Sequence, residues 1–296
     1  MLRCPSIQGF TARQRAAIKN VIMPELPEVE TTVRGLAPLL LGQRIARVTL
    51  RRPDLRRPFP VDLGQRLTGA TITALSRRAK YGVITTDRDD AMIFHLGMSG
   101  RWRTEVAEPE VHDHLLIETG DGRILALNDP RRFGSVDLVN GDPAVIFAPF
   151  IALGPEPLSD AFDAAALRAA VVGRAAPLKS LLLDQCIVAG LGNIYVCEAL
   201  HLARVSPMLS GSALSAAAAR RLVTAIKGVL DQAIAAGGSS MRDFLAPDGA
   251  LGYFRNEWRV YGREGEGCPA CQRPVSRMVM GGRSTFFCAR CQRSGR

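Results

Sequence analysis

The sequence predicts an α+β fold: an antiparallel β-sandwich or barrel, then a helical half, then a small cysteine-anchored unit. Three observations predict it. Between about Ile45 and Val139 the apolar residues fall in short alternating segments, the period of half-buried strands. From 159 to 236 the chain becomes Ala- and Leu-rich with helical spacing. Two Cys-x-x-Cys pairs then close the chain.

Taken in order, Glu28 to Leu40 reads as a helix, because Val29, Val33, Leu36 and Leu40 recur at helical spacing and Pro27 suits a first turn. Val83–Thr86 and Met92–Leu96 read as strands around the polar turn Asp87–Asp90. Leu115–Thr119 and Arg123–Leu127 flank Gly120-Asp121-Gly122, a hairpin signal. The breakers Asn140-Gly141-Asp142-Pro143 and Gly154-Pro155-Glu156-Pro157 set the boundary. A first domain therefore covers 23–145, a linker 146–158, a helical domain 159–262 and a terminal unit 263–296. Within the helical part, Lys179–Gln185 and Ile194–Leu202 are helices around the Gly-rich turn Val188–Asn193. Asn193 reads as the cap of the second helix. The turn reads either as a phosphate-binding helix start or as an ordinary helical hairpin. Gly237–Gly252 is a Gly/Ser-containing loop.

The formal net charge is +10 over 296 residues. Arg51, Arg52, Arg56 and Arg57 form one basic cluster, Arg77, Arg78 and Lys80 a second, and Arg131 and Arg132 a third. Such clusters suit a polyphosphate partner, since each neutralised phosphate releases counterions; the alternative is a solvated, solubilising surface. No apolar run reaches the ~18 residues of a membrane span. Residues 1–22 carry Arg3, Arg13, Arg15 and Lys19, no acid and no long apolar core. They read as an untranslated or disordered extension.

Of seven cysteines, Cys268, Cys271, Cys288 and Cys291 are paired across sixteen intervening residues. Each pair brings two thiolates to one side of a tight turn, and two such turns complete the tetrahedron that zinc prefers. A unit of about 30 residues buries too little surface to fold unaided, so the metal supplies its folding energy. The alternative is a redox dithiol. Val275–Met280 and Ser284–Phe287 alternate around Gly281-Gly282, a β-hairpin with Arg283 just after its turn.

From Met23 the chain reads Met-Pro-Glu-Leu-Pro-Glu-Val-Glu. It continues with Arg77-Arg-Ala-Lys80-Tyr81, His95-Leu-Gly-Met98-Ser-Gly, His112-Asp-His114 and Asp129-Pro-Arg-Arg-Phe-Gly134. Leu153-Gly-Pro-Glu-Pro-Leu158, Gly190-Leu-Gly-Asn-Ile-Tyr195, Val260-Tyr-Gly-Arg263 and the cysteine pairs follow. In this order the segments resemble bacterial formamidopyrimidine-DNA glycosylase over Met23 to Cys291. The resemblance implies an N-terminal β-sandwich with flanking helices, a helix-two-turns-helix domain and a zinc hairpin. It implies excision of oxidised purines (8-oxoguanine and formamidopyrimidines) from double-stranded DNA, cleavage at abasic sites by β,δ-elimination, one structural zinc and a cytoplasmic, nucleoid-associated monomer.

By the same resemblance Pro24 is the nucleophile once Met23 is removed. An α-amine of pKa about 8 keeps an unprotonated fraction at neutral pH, and a secondary amine gives a permanently cationic iminium. Glu25 is the acid that opens the sugar ring. Lys80 assists β-elimination and Arg283 δ-elimination. Met98, Arg131 and Phe133 fill the space left by an extruded base, a flexible wedge, a planar cation and an aromatic wedge. His112, Arg174, Lys179 and Asn193 occupy DNA-contact positions. The loop 237–253, with Arg242, closes over the base. Two rivals stand beside this reading. One is a sister glycosylase for oxidised pyrimidines, disfavoured by Leu26, the Arg131/Phe133 pair and the long loop. The other is a non-catalytic zinc-ribbon DNA-binding protein.

Overall fold

The computed structural model describes residues 24–104, 106–238 and 254–293. The extension 1–22, and positions 239–253 of the expected capping loop, lie outside the described residues.

The fold is α+β. Helix α1 (Leu26–Leu40) opens it, and the strands that follow form two four-stranded antiparallel sheets. One sheet has the order β2 (Ile72–Arg78), β3 (Tyr81–Thr86), β4 (Asp90–His95), β8 (Ser135–Asn140). The other runs β1 (Ile45–Leu50), β6 (Asp113–Thr119), β7 (Ile124–Asn128), β5 (Arg101–Arg103). Their apolar faces meet in one core: Ile72, Ile84, Met92 and Phe94 from the first sheet, Ile45, Leu115, Ile117 and Leu127 from the second. Phe94 and Trp102 close the gap edge to face, with centroids 5.5 Å apart. The outer face of the first sheet is also covered, by Phe147 and Phe150 against Val83, Ala91 and Ile93. This explains why β4 is nearly continuous apolar sequence instead of an alternating strand.

The helical half comprises α2 (Ala164–Val171), α3 (Leu178–Leu182), α4 (Asn193–Leu202) and α5 (Ala216–Ala235) around a second core. Two expectations need correction. Helix α3 stops at Leu182, short of Gln185, because the Gln185 side chain fastens the Gly-rich turn instead. Its amide accepts from the Gly190 N–H at 2.8 Å and donates to the Leu191 carbonyl at 2.9 Å. Asn193 is also not the cap of α4. Gly192 holds that position, and Asn193 is the first helical residue.

Helix α1 belongs to both cores. Val29, Val33, Leu36 and Leu40 pack into the sandwich, whereas Leu26 is buried among the helices. The Leu26 N–H donates to the Gly190 carbonyl at 3.1 Å. Pro24 and Glu25 therefore enter exactly one place, the seam between the halves. The chain ends in β9 (Ser276–Met280) and β10 (Arg283–Phe287), joined by Gly281 and Gly282, both at positive φ. That tight turn is open only to residues tolerating the left-handed region. Among the described residues no helix is long and apolar enough to cross a membrane.

Candidate active site and zinc unit

Pro24 is buried, and Glu25 beside it is 3% exposed. Its carboxylate accepts the Ile194 N–H at 3.0 Å and the Tyr195 N–H at 3.4 Å, so it caps the start of α4 from another element. Only glycine fits at 192, since a Cβ there would lie 2.2 Å from Glu25 Cδ. Burial pushes the Glu25 carboxyl up to about 7, against the opposing pull of Lys80 and the two amides. Glu28 holds the same turn together. It accepts the Glu25 N–H at 2.9 Å and the Tyr195 hydroxyl at 2.6 Å.

Lys80 sits in the two-residue turn between β2 and β3 and is buried. Burial lowers its ammonium pKa, opposed by Glu25 and helped by Arg283. Its neighbour Ala79 has φ +52°, a backbone region that costs a residue with a Cβ about 1–2 kcal/mol. Glu156, from the segment between the two cores, holds that strained turn. It accepts the Ala79 N–H at 2.6 Å, Arg77 at 2.7 Å and Arg78 at 2.9 Å. His95, at the end of β4, faces Lys80, Arg56 and Arg57. Burial and Lys80 push its imidazole down to about 4, and its Nδ1 accepts the Gly97 N–H at 3.0 Å.

Arg283 leads β10 and is exposed. The next two residues are gripped from the helical half. Lys179 Nζ donates to Thr285 Oγ1 at 2.6 Å and to the Ser284 carbonyl at 3.3 Å, and Asn193 Nδ2 donates to that carbonyl at 2.9 Å. Lys179 is thus fully buried, with its ammonium aimed at the hairpin and not at solvent. Pro24, Glu25, Lys80, Lys179, Asn193 and Arg283 gather around the seam.

Met98, Arg131 and Phe133 form a second group, with the Arg131 guanidinium over the Phe133 ring at 5.0 Å. His112 is exposed beside His114, their ring centroids 6.2 Å apart. Arg174 is exposed, 4.0 Å from Asp184. The sequence alone did not single out Glu156, His95 or Glu198. Glu198 accepts the N–H groups of Arg259, Val260 and Tyr261 at 2.8–3.0 Å, binding the segment before the zinc unit to α4. Glu156 and His95 lay inside family-like segments, the only signal that marked them.

The four cysteine Sγ atoms lie within 4.8 Å of one another, Cys268 to Cys291 at 3.9 Å and Cys271 to Cys288 at 3.5 Å. A tetrahedron with Zn–S bonds of ~2.3 Å needs sulfurs about 3.8 Å apart, so the set fits zinc. His201 of α4 approaches Cys268 Sγ at 3.3 Å. Chelating the zinc is expected to expose the hairpin to trypsin at Arg277 and Arg283, and to release the Ser284 carbonyl from Lys179 and Asn193. Unchanged digestion after verified metal loss would contradict this dependence.

The sequence matches the formamidopyrimidine-DNA glycosylase N-terminal domain over residues 23–136 and the H2TH domain of the same enzymes over 153–245. Residues 265–293 match a zinc finger found in FPG and IleRS. The chain belongs to the formamidopyrimidine-DNA glycosylase family. A formamidopyrimidine-DNA glycosylase of Sphingopyxis alaskensis is 68% identical over 271 residues, which cover 92% of this chain and 100% of the relative. The crystal structure of MutM (Fpg) from Thermus thermophilus superposes with a TM-score of 0.83 at 41% identity, covering 92% of this chain and 100% of that one. Wild-type Lactococcus lactis Fpg, solved in complex with DNA containing N7-benzyl-Fapy-dG, gives 0.84 at 37% identity, covering 91% and 99%. Within this family frame α2 to α5 fall in the H2TH match, and the four cysteines fall in the zinc-finger match, which makes the zinc site a structural one.

Proposed function

We propose that this chain is a bifunctional DNA glycosylase and abasic-site lyase of base-excision repair. It removes oxidised purines, 8-oxoguanine and formamidopyrimidines, from double-stranded DNA, acting as a cytoplasmic, nucleoid-associated monomer after loss of residues 1–23. The observation that carries this reading is the Glu25 carboxyl, buried beside Pro24 at the start of α4, which burial pushes up to about 7 within the field of a buried lysine.

The chemistry needs a nucleophile, an acid and an electron sink. The Pro24 nitrogen lone pair attacks C1′ of the deoxyribose, and the C1′–N9 electrons leave with the base. The nitrogen's proton passes, directly or through water, to the departing base, which leaves neutral. The nitrogen lone pair then forms C=N while the C1′–O4′ bond breaks, and O4′ takes the proton from Glu25. The iminium draws electrons from C2′, so loss of the C2′ proton expels the 3′ phosphate; a second elimination expels the 5′ phosphate. A lysine whose burial favours the neutral form suits the proton removal at C2′, which supports the role given to Lys80. Arg283, exposed at the hairpin tip, suits the departing phosphate. Met98, Arg131 and Phe133 enter the duplex where the base has left, a reading supported by their common placement on one loop pair. His112, Arg174, Lys179 and Asn193 contribute to backbone binding. For Lys179 and Asn193 this works through the hairpin they hold.

The test uses paired duplexes containing 8-oxoguanine or thymine glycol with borohydride present. Preferential trapping on the 8-oxoguanine duplex, with adduct mass placing DNA on Pro24, supports the proposal. Preference for thymine glycol would favour the oxidised-pyrimidine activity, and lesion-independent binding without adduct would favour a non-catalytic binder.

A further inference from the structure

The loop pair bearing Met98, Arg131 and Phe133 is tied together from inside. Asp129 is 0% exposed, and Ser99 is 3% exposed. The Ser99 hydroxyl donates to Asp129 Oδ1 at 2.6 Å and also accepts the Arg131 N–H at 3.1 Å. The other carboxylate oxygen, Oδ2, accepts the Gly134 N–H at 2.8 Å. The Asp129 carbonyl accepts the Arg132 N–H at 3.1 Å and meets His114 Nε2 at 3.0 Å. One carboxylate thus fixes the residue after Met98, the amide of Arg131 through that residue, and the residue after Phe133.

Packing reinforces the tie. Gly97 has φ +63°, and a Cβ on it would lie 2.3 Å from the Phe133 carbonyl carbon. A Cβ on Gly134 would lie 2.8 Å from the His95 carbonyl oxygen. The two loops therefore touch backbone to backbone at these glycines. Arg132 is held at φ +55°, a region that costs a residue with a Cβ about 1–2 kcal/mol and that persists only where the surroundings enforce it.

We infer that Ser99 and Asp129 are positioning residues that hold Met98, Arg131 and Phe133 as one preassembled wedge, so that these three side chains enter the duplex together and the ordering cost is met before DNA arrives. This rests on the wedge role assigned to those three side chains in the proposed function. None of the atoms of Ser99 or Asp129 needs to touch DNA or the reacting sugar. Their effect falls on extrusion of the base and not on the chemistry at C1′. Preorganisation of this kind raises the rate of a step by removing disorder from its starting state.

The experiment compares Ser99→Ala with the wild-type chain on two substrates. One is a fully paired 8-oxoguanine duplex under single-turnover conditions; the other is a single-stranded oligonucleotide with an abasic site, where nothing has to be extruded. Loss of one buried hydrogen-bond bridge is expected to slow excision from the paired duplex about tenfold. Cleavage of the single strand should change less than twofold. A 2-aminopurine placed beside the lesion should show slower unstacking in the variant. Asp129→Asn, which keeps the shape and one acceptor, should fall between the two. Equal slowing on both substrates, or no slowing on the paired duplex, overturns the inference. A wild-type chain beginning at Pro24 that traps no adduct on the abasic oligonucleotide would instead overturn the proposed function, which keeps the two failures distinct.

Discussion

A chain whose Pro24 nitrogen is still bonded to Met23 is expected to give no borohydride-trapped adduct on an abasic-site duplex, while the chain beginning at Pro24 traps it readily. The reason is electronic. Within a peptide bond the proline nitrogen lends its lone pair to the carbonyl and has none left for a sugar carbon. Removal of a nucleophile that acts as a unit with its neighbours costs orders of magnitude, so the adduct should fall below detection. Duplex binding should survive in both chains, because the basic clusters and the helical half are untouched. The measurement is gel-shifted adduct against intact mass of the same preparation. Equal trapping by the blocked chain would show that another amine does the work, Lys80 being the first to examine.

Glu25→Gln is expected to carry the second-largest effect. A positioned acid contributes roughly 10²–10⁴ in rate, and a glutamine cannot deliver a proton to O4′. The amide is neutral, as the buried acid is at lower pH, so the fold should be retained. The sign of the pH dependence follows from the raised carboxyl. Held at about 7, Glu25 is protonated below that pH and ionised above it. The wild-type rate of ring opening should therefore fall as pH rises through about 7, where an ordinary carboxyl would already have lost its proton near 4.3. The variant should lose this limb entirely. A variant with the same descending limb would assign it to a different group.

Much of the fold was legible because its signals are local. The alternation around Gly120-Asp121-Gly122 and the spacing of Val29, Val33, Leu36 and Leu40 specify a hairpin and a helix without knowledge of the rest. The cysteine spacing likewise points to the zinc tetrahedron, with a redox dithiol as its alternative. What stayed hidden depends on distant partners. Glu156 supports Ala79 across 77 positions, and Glu198 collects amides more than 60 residues away. Nothing in the neighbourhood of either glutamate announces that role. The missed end of α3 has the same origin, since Gln185 spends its amide on a turn that only tertiary contact completes. The roles proposed for Pro24 and Glu25 come from motif order alone; as isolated residues they are an ordinary helix start.

Helix α1 has Leu26 of its first turn among the helices and its later apolar residues against the sheets. A 15-residue helix is a stiff rod of roughly 22 Å. Neither hydrophobic interior can loosen without baring apolar surface that the other shares through it. The two halves are therefore expected to unfold in one calorimetric transition rather than two. Damage to either one is expected to reach Pro24 and Glu25, which lie just before the rod's first turn.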